Sequence, residues 1–179
     1  MVFSTLHTIN AVATVNRLLD MGAPGYMIAA AVNGVLAQRL VRRVCTDCAA
    51  PSEPTANQLA WLASCRPGIK VDTLKFTEGA GCTFCNLTGY RGRVAVYEIL
   101  EIDRPLADSI RRGDLEGFMR AARSKDTYVP LAQGAIDLAI RGVTSLREAM
   151  AVGSGLEELA DSDAPLSDAG IDNLLELQA

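Results

Sequence analysis

At 179 residues, 49% of them apolar, the chain can bury one ordinary core and carry a tail besides. Its formal charge of −4 is unevenly spread: residues 157–179 hold seven acids and no base, which leaves 17 basic against 14 acidic residues in the body, about +3. No apolar run reaches the roughly 20 residues of a membrane span, and the first residues do not form a signal peptide, so the expected compartment is cytoplasmic.

In chain order, Met1-Val2-Phe3-Ser4-Thr5-Leu6 reads as a short buried strand with no turn or helix before it. Such a strand has edges that a complete sheet covers, so Met1 is expected to be a start placed inside a larger sheet. The one histidine, His7, then falls at the strand's carboxyl end, where parallel α/β sheets bind ligands. Asn10 is placed to cap a helix to about Asp20, with Ala11, Val12, Val15, Leu18 and Leu19 on its apolar face and Gly22 as a left-handed stop. A second, Ala-rich helix is expected from Pro24 to Gln38, then a short strand at Leu40, Val41 and Val44.

Two C-x-x-C pairs follow, Cys45/Cys48 and Cys82/Cys85. Two residues between thiols let a tight turn aim both sulfurs at one point, and two such turns face to face build a tetrahedral thiolate cage, the geometry of structural zinc. Gly79, Gly81 and Gly89 give the second turn backbone freedom. Two disulfides, a redox-active pair and an iron–sulfur cluster are the alternatives. The paired knuckles favour zinc, with Cys65 left as a spectator thiol. Between the knuckles, residues 57–63 around Trp61 form one short helical segment in a loop.

After them, Arg93–Leu100 reads as a strand by its β-branched content. Four short helices are expected at Arg104–Arg112, Leu115–Arg123, Leu131–Arg141 and Ser145–Ala151, the last with a capping box from Ser145 to Glu148. The third places Leu131, Ala135, Leu138 and Ala139 on one face. Beyond Gly153 the composition turns acidic and weak order is expected. None of the three lysines, Lys70, Lys75 and Lys125, sits in G-x-x-x-x-G-K-[ST], so no phosphate loop is present, and His7 has no identifiable Ser or Asp partner.

The order of these motifs resembles the C-terminal part of the secretion ATPases of type II secretion and type IV pilus assembly. VFSTLHT is similar to that family's histidine box, RLLDMG and AVNGVLAQRLVRRVC to the helical segment leading to its tetracysteine module, GYRGRVAVYEIL to the strand after it and GVTSLREAM to its last helix. The likeness covers nearly all of residues 2–152. It implies an α/β fold: the C-terminal portion of a RecA-like ATPase domain with a truncated sheet (1–44), an inserted tetracysteine zinc subdomain (45–92), and a strand with a C-terminal helical bundle (93–152), followed by the acidic tail (153–179).

The resemblance further implies a homo-hexamer on the cytoplasmic face of the inner membrane. It would be held there by platform proteins and would spend ATP with Mg2+ to assemble pilins or pseudopilins. Walker A, aspartate-box and Walker B elements should precede Phe3, so this stretch alone is expected to be inactive. His7 would sense or orient the γ-phosphate through a hydrogen bond. Cys45, Cys48, Cys82 and Cys85 would hold a structural zinc, a module that marks assembly rather than retraction. Ile9 departs from the usually polar residue of that box. Arg39, Arg42, Arg43, Arg91 and Arg93 are candidates to reach a phosphate or a neighbouring subunit. Two rival readings stand beside this one: a free-standing zinc-knuckle module, conceivable for nucleic acid but poor in stacking aromatics, and a zinc-bearing scaffold whose acidic tail recruits a partner. With the ATPase reading preferred, no nucleic-acid partner is expected.

Overall fold

Two long strands form the spine of the computed structural model, which describes residues 1–154. β1 (Gly34–Val44) and β4 (Tyr90–Glu101) pair antiparallel from Gly34↔Glu101 to Val44↔Tyr90, with a register shift between Arg42 and Val44. Side chains alternate across a strand, and here one face is covered and the other open. Val35, Ala37, Arg39 and Val41 of β1 and Val94, Val96, Glu98 and Leu100 of β4 turn inward, whereas Leu36, Leu40, Tyr97 and Ile99 are about half exposed. A second small sheet pairs β2 (Ala49–Ser52) with β3 (Phe76–Gly79), antiparallel. The fold is thus mixed α/β with two two-stranded sheets among the described residues.

Among the described residues seven helices pack around these strands: α1 (Ala11–Asp20), α2 (Gly25–Ala31), α3 (Ala56–Cys65), α4 (Arg104–Arg112), α5 (Leu115–Arg123), α6 (Leu131–Ile140) and α7 (Leu146–Ser154). Side-chain caps set the starts of all but α2 and α6. Asn10 accepts from the Ala13 N–H, Asp103 from Leu106, Asp114 from Gly117, and Thr55 with Gln58 forms a full capping box. The four C-terminal helices lie where the sequence places them. The expected box at the start of α7 forms only by half: Ser145 accepts from the Glu148 N–H, but the Glu148 carboxylate turns to β1. There it takes the Arg42 N–H at 3.0 Å and the Arg42 guanidinium at 2.8 Å. In a two-stranded ladder every second residue turns its N–H away from the partner strand, and Glu148 satisfies the one at Arg42.

Two expectations fail. The predicted strand at Met1–Leu6 is not formed: residues 1–8 hold no regular structure, and Met1, Val2 and Phe3 are 101%, 92% and 87% exposed. A strand exists only against a ladder partner, and no described strand lies beside this segment. The predicted helix Pro24–Gln38 stops at Ala31, and residues 34–38 belong to β1. There the long-range ladder with β4 overrides the local helix preference of Ala and Leu. The β2–β3 sheet was not expected at all.

Burial divides into two apolar clusters. One gathers Val41, Val96, Leu62 and Phe76 under α6 and α7; Leu131, Ala135, Leu138 and Ala139 supply the face read from the sequence. The other gathers Ala11, Val15, Ile28, Leu100, Leu106, Ile110 and Phe118 from α1, α2, α4, α5 and the end of β4. No described helix is long and apolar enough to cross a membrane.

Candidate functional site

The β1–β4 hairpin carries the first C-x-x-C at the end of one strand and the second just before the other, so the ladder itself brings the knuckles together. The Cys45 N–H donates to Gly89 O at 2.9 Å, and the Ala80 N–H to Cys48 O at 2.9 Å. Gly79 and Gly89 lie back to back: a Cβ on Gly89, whose φ is +78°, would stand 2.4 Å from Gly79 O, so neither position accepts a side chain. Cys82 to Cys85 turn through a single 3-10 turn, closed by Leu87 N–H to Cys82 O at 2.8 Å, with Asn86 and Leu87 left-handed at φ 52° and 63°. For a leucine that backbone is uncommon, and the turn's own hydrogen bonds hold it.

Four sulfurs converge there. Cys45 and Cys82 Sγ stand 3.9 Å apart, Cys48 and Cys85 3.8 Å, Cys82 and Cys85 3.8 Å, and all four lie within 4.8 Å of one another. A tetrahedral metal with M–S bonds of about 2.3 Å sets its sulfurs about 3.8 Å apart, and disulfide sulfurs would be about 2.0 Å apart. The donor set therefore fits one metal ion held by four thiolates. Among the described residues it is the one such cluster, and Cys65, at the end of α3 against the core, lies outside it. Backbone N–H groups face the sulfurs: Gly81 to Cys48 at 3.3 Å, and Cys82 and Gly89 to Cys85, each at 3.2 Å. The Cys82 N–H, with help from Gly89, holds the Cys85 thiol down to about 6, whereas desolvation pushes Cys48 up to about 12. A bound cation is what brings all four to thiolate together. With four sulfurs the shell is closed, leaving no place for a reacting water.

A polar network braces the cage against α7. Tyr90 Oη lies 2.8 Å from Ser145 Oγ and accepts from Arg147 Nη2 at 3.1 Å, while Arg42 stacks over the Tyr90 ring at 4.4 Å and Arg147 reaches Glu78 at 2.9 Å. Arg91 folds over Phe84, 3.6 Å from the ring centroid, and donates to Phe84 O. So Arg42 and Arg91 serve the module, and Arg39 holds the segment before α1, donating to Thr8 O at 3.2 Å and Ile9 O at 3.3 Å. Arg43 and Arg93 stay exposed. His7 is exposed, and its ring makes no hydrogen bond or ion pair among the described residues. It stands well apart in sequence from the cysteines, on a segment tied down by Arg39, by the Thr8–Thr14 hydroxyl contact at 2.7 Å, and by the Asn10 cap.

Sequence reasoning missed Tyr90 and Glu98. The signal for Glu98 was present: a lone acid at an inward position of Val94-x-Val96-x-Glu98-x-Leu100 must find buried donors.

With this geometry stands a match of residues 1–151 to the family model for type II/IV secretion system proteins. The chain belongs to that family. Among its relatives, the type IV pilus assembly ATPase PilB of Myxococcus xanthus is 37% identical over 165 residues, covering 92% of this chain and 27% of the relative. The type II secretion system ATPase E of Vibrio cholerae is 38% identical over 152 residues, 85% of this chain and 29% of the relative. PilB of Thermus thermophilus is 33% identical over 151 residues, 84% of this chain and 17% of the relative. The chain thus spans less than a third of the length of these family members.

Proposed function

We propose that these residues are the C-terminal part of a hexameric ATPase that powers pilin or pseudopilin assembly. The observation that carries the reading is the family match across residues 1–151 to relatives named as pilus-assembly and type II secretion ATPases. In this reading a RecA-like core upstream supplies the phosphate loop, ATP and Mg2+, and inner-membrane platform proteins hold the enzyme at the cytoplasmic face. The four domain-scale segments, 1–44, 45–92, 93–152 and 153–179, are the divisions of that C-terminal part.

The metal is zinc, bound by Cys45, Cys48, Cys82 and Cys85, and its work is structural. It supplies folding free energy to a small module between the ends of β1 and β4. His7 is the residue of this stretch assigned to the chemical step. An exposed imidazole on a fixed segment can donate a hydrogen bond to a γ-phosphate oxygen, or orient the attacking water, while most of the nucleotide affinity comes from elsewhere. His7→Ala in the full-length enzyme should lower turnover by about ten- to ten-thousand-fold. Nucleotide affinity, supplied mainly by the phosphate loop, and zinc content should be nearly unchanged. Wild-type turnover in that variant would remove His7 from the mechanism. The 179 residues alone should not hydrolyse ATP, and turnover by a clean preparation that is lost in His7→Ala would overturn the division of labour proposed here.

A further inference from the structure

Glu98 is among the most deeply buried side chains, 2% exposed, and none of the roles above uses it. It makes no ion pair with a Lys or Arg among the described residues. Three donors satisfy it instead. Oε1 accepts the Ala11 N–H at 2.8 Å and the Tyr128 hydroxyl at 2.8 Å, and Oε2 accepts the Leu131 N–H at 3.0 Å. Ala11 and Leu131 are the first residues of α1 and α6. A helix leaves its first N–H groups without internal partners and carries partial positive charge there. Pro130, the residue before α6, has no side-chain cap to offer. One strand-borne carboxylate therefore caps two helices, and the two positive helix ends stabilise its buried charge.

The same strand pair grips the segment in front of α1 from a second point. Ala37 faces Glu98 and Arg39 faces Val96 in the ladder, so Arg39 and Glu98 are diagonal neighbours on the covered face. Arg39 holds the Thr8 and Ile9 carbonyls while Glu98 holds the Ala11 N–H. The grip begins at the residue after His7.

We propose that Glu98 is a positioning residue for His7: its carboxylate fixes the start of α1, and with it the His7 segment, and locks that segment to the start of α6. The catalytic consequence rests on the reading of His7 given above; the positioning does not, and it can be read without nucleotide. In E98Q one carboxylate oxygen becomes an NH2, which cannot accept from a backbone N–H. Amide exchange in the 179-residue chain should therefore accelerate at Ala11 or Leu131 by about ten- to a hundredfold, with the Phe118 amide of α5 and the bound zinc unchanged. His7 is the one histidine, so its ring signals in a 15N spectrum report the freed segment directly. Tyr128→Phe, which removes the hydroxyl donor alone, should loosen the same amides several-fold and serves if E98Q does not fold.

Wild-type exchange at Ala11 and Leu131 in both variants would overturn the proposal. So would equal acceleration at Phe118, which would make Glu98 a stability residue and nothing more. In the full-length enzyme, E98Q should reduce kcat with nucleotide affinity kept, and adding it to His7→Ala should cause little further loss. If the amides loosen while turnover stays at wild type, the positioning stands and the catalytic assignment of His7 falls.

Discussion

Cys45 and Cys65 carry the same thiol, but only one has three sulfurs for company. Cys45 is fully buried within the set of four, whereas Cys65 closes α3 and packs against apolar neighbours. Cys45→Ser should therefore weaken metal binding by more than the about ten- to hundredfold that follows loss of an outer-shell partner. Cys65→Ser should leave metal content intact. Elemental analysis with X-ray absorption on both variants reads the difference, and a wild-type chain showing nitrogen or oxygen ligands in place of sulfur would refute the assignment. The C-x-x-C spacing made these ligands legible because a two-residue turn has few ways to point its thiols. Glu98 was not legible as a cap, because its donors lie 87 and 33 residues away in sequence.

Short side chains cap the starts of α1, α3, α4, α5 and α7, and α4 offers a graded test. Asp103 accepts the Leu106 N–H at 3.2 Å and pairs with Lys125 at 2.7 Å, with its side chain 41% exposed. Asp103→Ala removes cap and partner, and should cost about 0.5–2 kcal/mol in urea unfolding. Asp103→Asn keeps an acceptor for the cap and should lose less, because a half-exposed ion pair contributes under about 1 kcal/mol. Lys125 holds the Asp103 carboxyl below its ordinary value. Its contribution is therefore complete above the ordinary carboxylate pKa and fades as pH falls through the lowered folded one. Asp103→Asn should remove that part of the acid limb. Packing between elements gives a second test: a Cβ on Gly25 would stand 2.5 Å from Ile110 O, where α2 crosses α4. Gly25→Ala should destabilise by about 1–3 kcal/mol, outweighing a helix-propensity gain of at most about 1 kcal/mol. Unchanged stability would mean that the helices part without strain.

At the scale of the molecule, the four metal-site cysteines lie outside both apolar clusters, and Phe118 belongs to the one built by α1, α2, α4 and α5. Removing the metal with a chelator should speed amide exchange at Cys45, whose N–H bonds Gly89 O across the cage. The Phe118 amide, packed with α1, α2 and α4, should keep its protection. Equal loss at both would show that the metal module and the Phe118 cluster unfold as a single unit. The sequence alone determined what depends on near neighbours: the C-terminal helices with their caps, the Asn10 start of α1, the four thiols and the order of motifs that marks the family. It misjudged what depends on distant ones. Residues 34–38 became strand because β4 came alongside, and residues 2–6 formed none because no described strand lies beside them. Glu148 left its own helix start for the Arg42 N–H on the free edge of β1. Caps and knuckles close within a few residues, so local chemistry suffices to specify them. Ladders, buried carboxylates and free strand edges are satisfied only by whichever groups the completed fold brings within hydrogen-bond reach.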